Sequence, residues 1–131
     1  MGSQGAGQNP PNAGDGLMIQ RFTPRELGPK PWGIELLVAH TEHYTGKVLA
    51  MQAGKSGPFQ YHERKDETFY LYSGVAEVRY RDDAGADHVQ EMQPGESFHV
   101  PPGSPHQVTA LSDCTFFEVS TPVFDDRVAV T

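Results

Sequence analysis

The sequence is poor in cysteine, in basic residues and in long apolar runs, and each shortage argues against a class of protein. Cys114 is the only cysteine, so no disulfide can form within the chain, and its place in the run CTFFEVS predicts a buried, unreactive thiol. Ten Lys and Arg stand against 17 Asp and Glu, for a net charge of −7. Phosphate binding needs clustered basic residues, so we expect no nucleic-acid partner. No apolar run reaches the roughly 20 residues of a membrane-spanning helix, so we expect no membrane partner.

The first residues differ in composition from the rest. Residues 1–16 read MGSQGAGQNPPNAGDG and hold almost no apolar side chain. Burial in such a segment cannot offset the entropy of ordering it, so the sequence predicts a disordered tail at 1–16 and a single domain over residues 17–131. The tail also lacks a basic stretch followed by an apolar one. We therefore expect no signal peptide, and a cytoplasmic location follows by default.

Short apolar or alternating runs recur from Leu17 onward, and Gly and Pro separate them. No window keeps an apolar period of 3.6 residues over three turns, so helix content should be low. Only residues 23–27, TPREL, favour a single helical turn, because a Thr cap precedes Pro. Ser73-Gly74 and residues 82–87 predict hairpin turns. The spacing predicts an all-β fold, most economically a single antiparallel β-barrel, because closure removes exposed strand edges.

Four polar side chains suggest a binding site. Gln60 and His62 in QYH are two residues apart, so they project from the same face of a strand. Glu67 follows a short charged connection, and an antiparallel return of the chain beside QYH would bring it toward His62. His106, just after the rigid turn PPGSP, is the natural distant partner. Two imidazoles, one carboxylate and one amide oxygen suit a divalent ion such as zinc, iron, manganese, nickel or cobalt.

Each of these residues also has an ordinary structural interpretation. Taken singly, a His beside charged neighbours or a Gln on a strand is more often solvated than a ligand. Arg64 and Lys65 lie in the same charged connection, and we expect them to face solvent. Glu67 is the only catalytic residue that can be named, although as a metal ligand it is poorly placed to act as a free base.

The spacing of these residues resembles the two motifs of the cupin superfamily. The first motif has a Gly, two His separated by one residue, a Glu and a second Gly. Here the matching positions are Gly54, Gln60, His62, Glu67 and Gly74, with Gln60 in place of the first His. The second motif is matched by Gly95, Pro101, Gly103 and His106, with Ala110 in place of the terminal Asn. The resemblance implies a small cupin jelly roll with one divalent metal ion bound by Gln60, His62, Glu67 and His106.

A finer resemblance concerns function. The ligand set and the blocks KPWGIE, QYHERKDE, VPPGSPH and EVSTPVFDD are similar to the cupin domain of type II mannose-6-phosphate isomerases. This implies a metal-dependent isomerase acting on a small polyhydroxylated or carbonyl substrate. Cupins also include iron-dependent dioxygenases and lyases, as well as non-catalytic proteins that bind small molecules, and the fold alone does not choose between them. Stand-alone cupins commonly form homodimers through outer strands, and residues 19–22, IQRF, could add a strand to a partner's sheet.

Overall fold

The computed structural model describes residues 18–131, and the predicted tail at 1–16 lies outside that range together with Leu17. The described residues form eleven strands and no helix, and so contain no helix able to cross a bilayer. The strands are β1 (Arg25–Lys30), β2 (Gly33–His40), β3 (Thr45–Met51), β4 (Gln60–His62), β5 (Glu67–Ser73), β6 (Ala76–Arg81), β7 (Asp87–Met92), β8 (Ser97–Val100), β9 (His106–Ala110), β10 (Cys114–Ser120) and β11 (Arg127–Ala129).

Two antiparallel sheets make up the fold. The six-stranded sheet has the order β1-β2-β3-β10-β5-β8, and the five-stranded sheet has the order β11-β4-β9-β6-β7. Strands distant in sequence lie side by side, as β3 does with β10, and this arrangement is a jelly roll. The predicted all-β antiparallel fold is therefore confirmed. The two sheets pack face to face and do not join into one closed barrel.

The space between the sheets is apolar at one end and polar at the other. Inward positions of β3 and β10 face each other in the pairs Met51–Cys114 and Leu49–Phe116, and then Lys47–Glu118 and Thr45–Ser120. The apolar pairs belong to a core cluster that also contains Leu71, Val78 and Met92. Cys114 is buried there as predicted, and its burial raises the pKa of the thiol. The same strands thus supply both a stable core and a polar interior.

Two local predictions from the sequence are wrong. Residues 23–27 contain no helical turn, because β1 begins at Arg25 and pairs with β2. A helix cap contributes only about 1 kcal/mol, which strand pairing outweighs here. Ser73-Gly74 is not a hairpin within one sheet, since it joins β5 of one sheet to β6 of the other. Gly74 has a φ of +90°, and a Cβ there would collide with the carbonyl oxygen of Asp113. The predicted turn at residues 82–87 is confirmed between β6 and β7.

Candidate metal centre

Three of the four predicted ligands meet at the polar end of the interior. His62 ends β4, Glu67 begins β5 and His106 begins β9, and one possible ligand atom from each lies within 4.8 Å of the other two. All three are buried, with exposures of 7%, 2% and 6%. The predicted antiparallel return beside QYH is wrong, because β4 and β5 belong to different sheets. The connection crosses between the sheets and still brings Glu67 to His62.

The orientation of each imidazole is set by a partner outside the cluster. His62 Nδ1 lies 3.0 Å from Asp126 Oδ1, and His106 Nδ1 lies 2.9 Å from the carbonyl oxygen of Ser104. A carbonyl or ionised carboxylate oxygen can only accept, so both Nδ1 atoms carry the proton and donate. In the neutral imidazole, Nε2 then has a free lone pair. Such an outer partner is the usual companion of a metal-binding histidine.

The donor atoms fit a cation between them. The Nε2 atoms of His62 and His106 lie 3.3 Å and 3.2 Å from Glu67 Oε2, and yet that buried oxygen has no hydrogen bond among the described residues. Leaving a buried acceptor without a partner costs about 1–3 kcal/mol. A divalent ion would satisfy all three lone pairs at once, and two imidazoles with a carboxylate are a donor set for zinc and similar metals. The cluster can therefore hold a divalent metal ion.

Gln60 lies beside this cluster. It is half-buried, lines the same cavity and pairs with His106 across β4 and β9. The role of Gln60 as a fourth ligand stays a prediction.

Lys65 is buried beside Glu67, and the expectation that it faces solvent is wrong. Its Nζ lies 3.2 Å from Glu67 Oε1 and 2.8 Å from Glu118 Oε2. Lys65 therefore engages one oxygen of Glu67 and leaves the other, Oε2, toward the imidazoles. Arg64 is exposed as predicted. The sequence shows Lys65 only as part of a charge run, because its partner Glu118 is remote in the chain.

The electrostatics keep Glu67 ionised. Burial raises the pKa of its carboxyl, but a proton on Nε2 of His106 or His62 in the metal-free protein and the ammonium of Lys65 outweigh this and hold the pKa well below its usual range. For Lys65, burial lowers the pKa of the ammonium, and the carboxylates of Glu118 and Glu67 more than reverse the effect. Both groups are charged at neutral pH, so the carboxylate is ready to bind a cation without first losing a proton.

A cavity of about 270 Å³ opens onto the cluster. Three further charged side chains, which were not identified from the sequence as part of a site, line its wall: Lys30, Glu35 and Lys47. The strand alternation held a signal for Lys47, since it shares the inward face of β3 with Leu49 and Met51. Trp32, the only tryptophan, also lines the cavity.

The metal-free protein should lose stability in acid. Burial raises the pKa values of Glu35, Glu67 and Asp126, but hydrogen bonds and nearby positive charges outweigh it and lower all three. A lowered pKa gives stability that is present above the usual values of 4.5 for Glu and 3.8 for Asp and is lost as the pH falls through the folded-state pKa values. We expect the free energy of unfolding to change little from pH 7 to about pH 6 and to decrease below about pH 5. Guanidinium denaturation in a chelator measures it, and constant stability down to pH 3 would contradict the prediction.

Replacing Asp126 should weaken metal binding from outside the cluster. Its Oδ1 accepts the hydrogen bond from His62, and its Oδ2 accepts the backbone N–H groups of Arg64 and Lys65. We expect Asp126→Asn to lower metal affinity about 10- to 100-fold, the usual effect of losing such an outer partner. Competition with a chromophoric chelator measures the affinity. Asp125→Asn, at the exposed neighbouring residue, removes the same charge and should change affinity far less. Equal losses in the two variants would show that charge alone matters.

Comparison with known proteins identifies the fold. No curated protein sequence matches the chain. The family profile described as "Cupin domain" matches residues 47–120, which is more than half of the chain and includes His62, Glu67 and His106. The match thus spans β3 to β10.

Similar solved structures include KdgF from Halomonas sp., which is 25% identical with a TM-score of 0.67, over 76% of this chain and 89% of that one. Oxalate decarboxylase from Bacillus subtilis, which has Mn(II) centres, is 20% identical with a TM-score of 0.69, over 82% of this chain and 30% of that one. The capsular polysaccharide assembling protein CapF from Staphylococcus aureus is 17% identical with a TM-score of 0.71, over 84% of this chain and 32% of that one.

The chain spans about a third of the length of the oxalate decarboxylase and CapF chains. At their identities, these two likenesses show the fold alone. None of the three structures is a mannose-6-phosphate isomerase, so that finer resemblance stays a prediction.

Proposed function

The chain belongs to the cupin domain family, and on that premise we propose that it is a metal-dependent enzyme of the isomerase type. The substrate would be a small polyhydroxylated or carbonyl compound. One observation carries the proposal: two imidazole nitrogens and a carboxylate oxygen without a hydrogen bond converge beside a cavity of about 270 Å³. This volume is just below the range of 300–1,000 Å³ that is typical of ligand pockets, so a small substrate fits it.

His62, Glu67 and His106 would hold the ion, with Gln60 as a fourth ligand. A divalent ion there supplies Lewis acidity that polarises a carbonyl or hydroxyl oxygen. Lys65 keeps Glu67 ionised and engages its Oε1, so Glu67 serves the ion and is not free to act as a base.

Isomerisation between neighbouring carbons also needs a group that moves a proton. Two carboxylates outside the cluster line the cavity, Glu35 and Glu118. Each is paired with a buried lysine, Glu35 with Lys47 and Glu118 with Lys65. We assign them as the candidates for the proton carrier that the sequence did not reveal. Apolar wall residues such as Trp32 and Phe69 would limit the access of water.

The test incubates metal-loaded protein with aldoses, ketoses and their phosphates in deuterated water and follows the products by NMR. Isomerisation that the Glu67→Gln variant lacks supports the proposal. Inertness toward every sugar, together with oxygen uptake by iron-loaded protein on an enol or aromatic substrate, would replace it with a dioxygenase. Stoichiometric metal without turnover in any of these assays would leave a non-catalytic binding protein.

We also propose that the protein is a homodimer. The outer surface of the six-stranded sheet carries partly exposed aromatic side chains on β5 and β10, where Phe117 stacks with Tyr70 at 6.0 Å and with Tyr72 at 5.3 Å between ring centroids. Exposed Val119 extends this apolar surface, and a second copy would bury it. Light scattering should give twice the chain mass of 14.4 kDa. Phe117→Ser should shift it to the monomer, and a monomeric wild type at micromolar concentration would refute the dimer.

A further inference from the structure

The cavity contains a charged group that the metal centre does not use. Lys47 Nζ lies 2.7 Å from Glu35 Oε2, and Lys30 Nζ lies 3.5 Å from Glu35 Oε1. The side chains of Lys47 and Glu35 are about nine-tenths buried, and that of Lys30 is about three-quarters buried. All three line the cavity. Two ammonium groups therefore share a single carboxylate.

Lys30 and Lys47 together leave one positive charge without a carboxylate of its own at this end of the cavity. Among residues 18–131, Glu35 is the only carboxylate in ion-pair contact with Lys47. Glu118 stands opposite Lys47 in the pairing of β3 with β10, but its carboxylate pairs with Lys65 at 2.8 Å. The ring of Phe124, 5.2 Å from Lys47 Nζ, offers only a weak attraction compared with that of an anion. Burial of a cation is costly unless its charge is matched, so this end of the cavity favours a bound anion.

We propose that Lys47, assisted by Lys30, binds the carboxylate of a small organic acid whose other, oxygen-bearing end reaches the cluster of His62, Glu67 and His106. The lysine end of this site depends only on the charges just described. The metal end rests on the proposed function. The proposal narrows the substrate class from polyhydroxylated or carbonyl compounds in general to those with a carboxylate.

A carboxylate suits the lysine end better than a phosphate does. One uncompensated positive charge matches the single negative charge of a carboxylate, whereas a phosphate monoester carries nearly two at neutral pH. The carboxylate of Glu35, between the two lysines, would repel the second charge. Residues 18–131 form no helix, so the described part of the chain lacks the helix N-terminus that commonly binds phosphate groups.

Matched ligands and the single tryptophan provide the test. Trp32 lines the cavity, so its fluorescence reports binding of D-glucuronate, D-glucose and D-glucose 6-phosphate to both chelator-treated and metal-loaded protein. We expect glucuronate to bind at least about tenfold more tightly than glucose, because only glucuronate has a carboxylate that can accept a charged hydrogen bond from Lys47. Lys47→Met should remove most of this preference, Lys47→Arg should retain it, and Lys55→Met, at an exposed lysine, should leave it unchanged.

The outcomes separate this proposal from the proposed function. If a folded Lys47→Met protein keeps the preference, or if wild type binds glucuronate no more tightly than glucose, the carboxylate site is refuted. Tighter binding of the phosphate than of glucuronate also overturns it. Metal content, measured on the same samples, should be equal in wild type and Lys47→Met. If no metal binds but chelator-treated protein prefers glucuronate, the metal-dependent function fails and the carboxylate site stands.

Discussion

Alanine in place of His62 or His106 is expected to abolish stoichiometric binding of a divalent metal ion. Each substitution removes one of only two nitrogen donors in the cluster, and the remaining imidazole and Glu67 cannot enclose an ion. We expect about one ion per chain in the wild type and an affinity at least 100-fold lower in each variant, since loss of an outer partner alone costs about 10- to 100-fold. Elemental analysis after exposure to zinc, manganese, iron(II), cobalt or nickel measures the content and identifies the preferred ion.

The matched control is His99→Ala. His99 is exposed and pairs with Asp66 on the surface, as its alternation with two apolar neighbours predicts. Its loss should leave metal content unchanged. If either cluster variant keeps its full metal content, the assignment of the metal centre is wrong.

Lys65→Met is expected to destabilise the metal-free protein by about 3–5 kcal/mol, which is the usual result of removing one member of a buried ion pair. Lys65 lies between two buried carboxylates, Glu67 and Glu118, and without it they lose the ammonium that compensates their charge. Guanidinium denaturation in a chelator at pH 7 measures the free energy of unfolding. Bound metal should reduce the loss, because the ion compensates Glu67 and stabilises the folded state.

A double variant distinguishes lost charge compensation from lost packing. Combining Lys65→Met with Glu118→Leu removes one of the two carboxylates that Lys65 no longer compensates. The double variant should therefore lose less unfolding free energy than the sum of the losses in the two single variants. Lys55→Met at the exposed surface should be nearly neutral. Additive costs for the double variant, or a Lys65→Met protein as stable as wild type, would show that Lys65 does not act through these carboxylates.

The parts of the site that could be predicted were those with a local pattern. His62 and Glu67 lie five residues apart and His106 follows a distinctive turn, so motif spacing brought them together correctly. The strand interpretation of QYH was also correct, although β4 has only three residues. By contrast, the strands β1 and β11 have mixed polar sequences without clear alternation, and only pairing with β2 and β4 establishes them.

The parts that could not be predicted depend on partners remote in the chain. Lys65 belongs to a run of charges that is typical of a solvated turn, and only the neighbouring strand β10 brings Glu118 to it. Asp126 lies 64 residues from His62, to which it bonds. Lys47 and Glu35 share the inward alternation of their strands with Leu49 and Leu37, but only the fold shows that they pair with each other. Sheet topology, which sequence spacing does not encode, decides all of these contacts.

The placement of the cluster has a consequence for motion. β4 and β11 pair with each other over three residues, whereas β4 meets β9 through the single pair Gln60–His106. The β4–β11 ribbon is thus joined to β9 by one ladder pair and to the loop before β9 by a hydrogen bond from Gly103 N–H to the His62 carbonyl oxygen. His62 lies on the ribbon, whereas Glu67 lies on the opposite sheet. An ion bound by His62, Glu67 and His106 would join the ribbon both to β9 and to the opposite sheet. Metal binding should therefore slow amide hydrogen exchange along β4 and β11. The exchange rate of these two strands would then distinguish the metal-bound protein from the metal-free protein.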